Sequence, residues 1–280
     1  MKEVIVATDS GANLPRPLAQ QWGVEVIPLW IQMNDESYRD GVDIQPLEFF
    51  QRLKERVRQL QTSQPSLGEF LEFYRRLQEK ARSIVSIHVT SRYSGVFQAA
   101  RAAAAELAPY PIEVVDSGTI AMAQGFVVLA AARAAAAGAS LAEVMERARS
   151  AIPKVDLIAA LETLEYAVRG GRLAWAARMV GNMLQVKPLV RVANNDVGLF
   201  GQARSRAKAI RQLLDTLARR VGDASVHIAI LHTGAVEEAQ RLKEEILARF
   251  RCVEVYIEPV TPVLGVHAGP GALGLAYYVE

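Results

Sequence analysis

Ile84 to Gly95, IVSIHVTSRYSG, decides the fold. A β-branched run, Ile84 to Val89, reads as a strand. It stops in a small polar cluster, Thr90 to Gly95, and an Ala-rich helical pattern follows. The same grammar occurs twice more. Val4 to Thr8 (VIVAT) runs into TDSG, and Ile112 to Asp116 (IEVVD) runs into DSGT, again with an Ala-rich helix behind it. Strands that alternate with helices imply parallel pairing and a layered α/β domain.

Outward from these units, Val24 to Gln32 (VEVIPLWIQ) reads as a further strand, and PLEFFQRLKERV and SLGEFLEFYRRLQEKA carry helical spacing. Ser140 and Glu143 form a capping box that opens the helix closing this half. The second half begins near Lys154. VDLIAA, VKPLVRVA (Val186 to Ala193), SVHIAILHT, CVEVYIEPV and the final LGLAYYVE read as strands. NND, with Gly198 just beyond, reads as a hairpin-like turn. Helices are expected at about 204–221 and 237–250. The expectation is α/β with two domains, residues 1–155 built on a mainly parallel sheet in an α/β/α layering and residues 156–280 on a mixed sheet. No linker rich in Pro, Gly or Ser marks the boundary.

The 280 residues suffice for two cores. Thirty-two Lys and Arg against 30 Asp and Glu leave a net charge of only +2, without the clustered positive charge that nucleic acid requires. The most basic helical stretch, RQLLDTLARR, reads as a solvated face. Ile120 to Ala137 is apolar, but it is mostly Ala and carries Gln124 and Arg133, so it reads as a helix packed on a sheet and not as a membrane span. The single cysteine, Cys252, permits no internal disulfide, and the N-terminus enters a strand directly. A cytoplasmic protein without stable membrane insertion is expected.

Three predicted strands end in clusters of Ser, Thr, Asp and Gly, the side of an open sheet where ligands bind. A fourth cluster, TSQPS (Thr62 to Ser66), lies between two helical patterns, with Pro65 suited to the first turn of the second. Taken singly, each reads as a helix cap; gathered at one sheet edge, they also offer a neutral anion-binding surface. TPVLGVHAGPGALG (Thr261 to Gly274) adds four glycines and one histidine. His267 is there either a donor facing a ligand or a turn residue with a satisfied ring. His227 and His232, five apart in a strand, fall on opposite faces, and His88 reads as a core histidine. Neither HExxH nor clustered carboxylates point to a metal.

These clusters in this order resemble the DegV family, which includes the fatty-acid-binding subunits of bacterial fatty acid kinase. The resemblance rests on TDSGANLP, TSQPS, SRYSGVFQAA (Ser91 to Ala100), DSGTIAMAQG (Asp116 to Gly125), LEYAVRGGRL (Leu164 to Leu173), VKPLV (Val186 to Val190) and HAGPGALG (His267 to Gly274). It implies a non-catalytic carrier, with no cofactor, that holds a long-chain fatty acid and presents it to a separate kinase for acyl phosphate formation. Thr62 and Ser94 are implied to bind the carboxylate. His267 is implied to lie close to the head group, and the backbone N–H of Gly95 to assist. Arg172 is implied to dock the kinase. Two departures stand out. Tyr93 and Val96 replace the usual Leu and Thr around Ser94-Gly95, and Leu173, Ala174 and Trp175 follow GGR in place of Ile-Gly-Arg. A serine hydrolase using Ser94, His267 and Asp116 is the main alternative, although the elbow GxSxG is missing. A module that senses another small anion is the second.

Overall fold

The computed structural model describes residues 1–53, 57–173 and 186–280. In the first half the strands are β1 (Lys2–Asp9), β2 (Glu25–Ile27), β3 (Trp30–Met33), β4 (Glu36–Arg39), β5 (Leu60–Ser63), β6 (Ala81–His88) and β7 (Ile112–Asp116). The helices are α1 (Arg16–Trp22), α2 (Pro46–Leu53), α3 (Leu67–Gln78), α4 (Val96–Glu106), α5 (Ala121–Ala136) and α6 (Leu141–Ala151). β2, β1, β6 and β7 form a parallel sheet in that order, as the strand–helix alternation predicts.

The second half contains β8 (Val155–Ala160), α7 (Glu165–Arg169), β9 (Lys187–Ala193), β10 (Asp196–Ala203), α8 (Arg206–Val221), β11 (Val226–His232), α9 (Val236–Arg249), β12 (Cys252–Pro259), α10 (Pro262–Ala268) and β13 (Leu273–Val279). Its sheet has the order β10-β9-β8-β13-β11-β12. It is mixed, because β11 and β12 are parallel and the other pairs are antiparallel. Asn194 and Asn195 turn the β9–β10 hairpin with φ of 52° and 61°, the left-handed region that Asn tolerates.

Three readings need correction. Val24 to Gln32 is two strands: β2 joins the parallel sheet, while β3 pairs with β4 and β5 in a small antiparallel sheet. Pro28 lies between them, and its missing N–H and fixed φ break the ladder. TSQPS is not a link between helices, since Thr62 and Ser63 end β5. Pro65 precedes the helix: Ser66 is the N-cap of α3, paired with Glu69 in a capping box. His267 is not a turn residue with a satisfied ring: it lies in the last turn of α10, and its Nδ1 has no hydrogen-bond partner among the described residues.

Helix α5 explains its own composition. It is buried nearly all round, between β1 and β6 on one side and β8 and β13 on the other. Alanines let both sheets approach, and a helix buried on all faces needs no polar stripe. No helix among the described residues is long and apolar enough to cross a membrane.

At the carboxyl end of β1, the side chain of Asp9 is wholly buried. It accepts hydrogen bonds from the N–H groups of Gly11 (2.9 Å) and Val89 (3.0 Å) and from Gln124 Nε2 (3.3 Å). His88 Nδ1 lies 2.9 Å from it. The other imidazole nitrogen meets Ser86 Oγ at 2.7 Å, and Ser86 accepts from the Tyr74 hydroxyl at 3.0 Å. A buried polar chain of this kind is stable only when complete. Asp9→Ala strands its donors, so it should lower unfolding free energy by about 3–5 kcal/mol in urea titration.

Candidate functional site

Between the carboxyl ends of the parallel sheet and the inner face of the mixed sheet lies a cavity of about 190 Å³. Its walls are mostly aliphatic, with Leu29, Val89, Leu157, Val192, Leu231 and Val263 among them. The polar side chains that line it are Thr62, Tyr93, Ser94, Arg172 and His267. Four of the five residues implied for head group and docking therefore share one cavity. Gly95 does not line it. It stands beside Ser94 at the N-terminus of α4, with the Gln64 amide packed directly against its Cα.

Each polar residue is held by a different element. Thr62 is on β5, and Ser94 lies in the loop after β6, its Oγ accepting from the Val96 N–H at 3.4 Å. His267 depends on the seating of α10. Asn13 bonds Pro259 O (3.1 Å) and the Thr261 N–H (2.7 Å), and buried Asp40 accepts from the Val263 N–H (3.1 Å). Gly265 admits the rings of Phe49 and Phe50, which a Cβ would meet at 2.8 Å. Burial pushes the Asp40 carboxyl up to about 7.

His267 Nε2 lies 3.1 Å from Thr62 Oγ1. Its Nδ1 is buried against Gly170 and has no hydrogen-bond partner among the described residues. Burial, with the nearby Arg172 charge second, pulls its pKa down to about 3, so the ring is neutral around neutral pH. With the ring proton on Nε2, the orphan is an acceptor, which costs less than an orphan N–H. That tautomer donates to Thr62 and leaves the Thr62 hydroxyl proton free to point into the cavity.

Arg172 is half-buried, and burial lowers its pKa. Its Nη1 donates to Gly170 O at 2.7 Å, and it has no carboxylate partner among the described residues. A guanidinium withdrawn from water without a counter-ion is costly, so the cavity suits an anion. Sequence reasoning gave Arg172 to docking alone, because its burial depends on the fold around it. Leu173 also lines the cavity, whereas Ala174 and Trp175 lie outside the described residues.

The hydrolase triad is not assembled. The Asp116 carboxylate accepts from the N–H groups of Gly118 (3.0 Å) and Ser91 (3.2 Å), and His267 is paired with Thr62. Of the other three histidines, His232 is buried with its Nδ1 unpartnered among the described residues, and two are engaged elsewhere. His88 is in the Asp9 chain, and His227 is paired with Glu254 and Glu280. No group of metal-ligating side chains occurs among the described residues.

The model of the family described as "Uncharacterised protein, DegV family" matches residues 3–280. The chain belongs to the DegV family. A DegV domain-containing protein of Streptomyces coelicolor is 36% identical, with 98% of each chain covered. Protein DegV of Bacillus subtilis is 32% identical over 98% of each. Among solved structures, a DegV family protein from Thermus thermophilus, described for its fatty acid binding, superposes with a TM-score of 0.93 at 30% identity, covering all of both chains. DegV from Bacillus subtilis, described as a fatty acid binding protein, gives 0.90 at 30% identity, again over all of both chains.

The histidine supplies a pH test. In the unfolded chain His267 titrates near 6.5, while in the fold it resists protonation down to about 3. As pH falls from 7, the unfolded state takes up a proton that the folded state refuses, so stability falls, by up to about 2 kcal/mol at pH 5. Asp40 acts in the opposite sense across this whole range, since a carboxyl raised from 3.8 to about 7 gains stability as pH falls from 7 to 5. His267→Gln should therefore be more stable relative to the parent at pH 5 than at pH 7, by up to about 2 kcal/mol in urea unfolding.

Proposed function

We propose that this protein is a carrier that holds a long-chain fatty acid by its carboxylate and presents it to a separate kinase that forms the acyl phosphate. The observation that carries the reading is one cavity with aliphatic walls and a polar group of Thr62, Ser94, neutral His267 and half-buried Arg172. A fatty acid has the matching chemistry, an apolar chain ending in an anion. Hydroxyl donors and a cation offset much of the cost of withdrawing the carboxylate from water. Most of the affinity comes from the chain, at roughly 0.8 kcal/mol per buried CH₂. The fatty-acid-binding relatives at 30% identity support the ligand class.

In this reading Thr62 and Ser94 donate to the carboxylate, and His267 orients Thr62. The Gly95 N–H assists from the start of α4. Arg172, whose charge borders the cavity, also serves kinase docking. The protein is cytoplasmic, uses no cofactor and catalyses nothing alone. Residues 1–155 and 156–280 act as two domains, with the head group near the cleft between them. Strands of the parallel sheet come wholly from the first range, while the mixed sheet runs from Val155 to Val279, which supports that division.

Organic extraction and mass spectrometry of the purified protein should yield long-chain fatty acids in near-stoichiometric amount. A polar metabolite, or an empty protein that takes up no added palmitate or oleate, would overturn the reading. Thr62→Val and Ser94→Ala should each weaken fatty acid binding by about 1–3 kcal/mol in fluorescence competition. Unchanged affinity in both would remove the head-group assignment. Arg172→Ala should slow acyl phosphate formation with a partner kinase, and normal turnover would end its docking role.

A further inference from the structure

Tyr93 is the polar lining residue to which the carrier reading gives no task. It follows the end of β6, in the loop that also presents Ser94. Its ring borders the cavity, and the mostly exposed guanidinium of Arg92 lies 5.9 Å from the ring centroid. Its hydroxyl accepts a hydrogen bond from the Val197 N–H at 3.2 Å, at the start of β10. Val197 and Val192 line the cavity as well. The ring therefore bridges two parts of the chain 104 residues apart.

The bridge is fixed at both ends. At one end, Thr90 Oγ1 donates to Asn195 Oδ1 at 2.5 Å in the adjoining hairpin turn. The Asn195 N–H donates to Gly118 O at 2.8 Å, and Thr119 Oγ1 donates to Val192 O at 3.3 Å. These bonds hold the loops of the parallel sheet against the β9–β10 hairpin, so moving either wall back would break them. Tying the phenol oxygen to backbone removes the rotation by which an aromatic ring usually yields. Close-packed walls of this kind discriminate by shape, one methylene being enough to matter.

Resting on the fatty-acid reading, we propose that Tyr93 is a specificity-determining residue: its anchored ring closes the cavity on the hairpin side and excludes bulkier acyl chains. Leu in its place is too short to reach Val197 and opens this side. Phe keeps the ring but releases the anchor.

The experiment uses the full chain, stripped of lipid and offered an equimolar mixture of palmitate, oleate and a methyl-branched fatty acid. Bound species are quantified by native mass spectrometry, with thermal melting confirming that each variant is folded. The ratio of oleate plus branched chain to palmitate should rise at least fivefold in Tyr93→Leu. It should rise less, but in the same direction, in Tyr93→Phe. Bound proportions in both variants equal to those of the parent would overturn the role of Tyr93 while leaving fatty acid binding intact. A parent chain that binds none of the three would instead defeat the fatty-acid reading, and this proposal with it. Should Tyr93→Leu fail to fold, Tyr93→Phe decides alone, an unchanged ratio counting against the proposal.

Discussion

The carboxyl group of Asp9, withdrawn from water at the end of β1, is the interaction around which the first sheet edge is organised. It gathers two backbone amides, an imidazole and a glutamine amide into one buried cluster. Two of those amides belong to Gly11 and Val89, which form part of the cavity wall. Gln124 belongs to α5, the helix that both sheets share. The same carboxyl thus ties the strand, the loop that follows it, the neighbouring strand end and the central helix to one point. A low local dielectric makes such a cluster rigid when all its members are present.

The cavity inherits this rigidity and adds a contrast of polarity. Nearly all of its wall is hydrocarbon, while hydroxyls, a neutral imidazole and one guanidinium share the same space. Burial shifts the two ionisable groups in the same direction. It holds His267 neutral and lowers the pKa of Arg172. The result is a surface rich in donors, which favours a ligand that supplies acceptors and charge. α10 carries His267 into this space, and its position comes from Asn13, Asp40, Phe49 and Phe50, all in the first half of the chain. The site is consequently a product of both halves.

Much of this was legible in the residues. Local signals are strong where one physical effect dominates. β-Branched runs produced β1, β6, β7 and the strands of the mixed sheet, the Ser140–Glu143 box opened α6, and Asn194-Asn195 turned the hairpin. Misreadings arose where a local signal met a longer-range one. Pro28 sits within an apolar run that has the local pattern of one strand, although β2 and β3 serve different sheets. Thr62 lies in a strand four residues long whose partner is β3, and so short an element has little pattern of its own. His267 stands among glycines, yet Pro262 at the first turn starts a helix there.

What the sequence determined by itself is the alternation of the main strands and helices, the parallel character of the first sheet and the collection of small polar clusters at strand ends. Those follow from side-chain shape, backbone freedom and capping, which act over a few residues. Only the tertiary structure decided that Thr62 and His267, 205 residues apart, share a hydrogen bond. It also decided that Arg172 turns into the cavity, that Asp116 is consumed by backbone amides, and that Tyr93 spans to Val197. Burial and electrostatic environment are properties of the packed chain, so no local pattern encodes them.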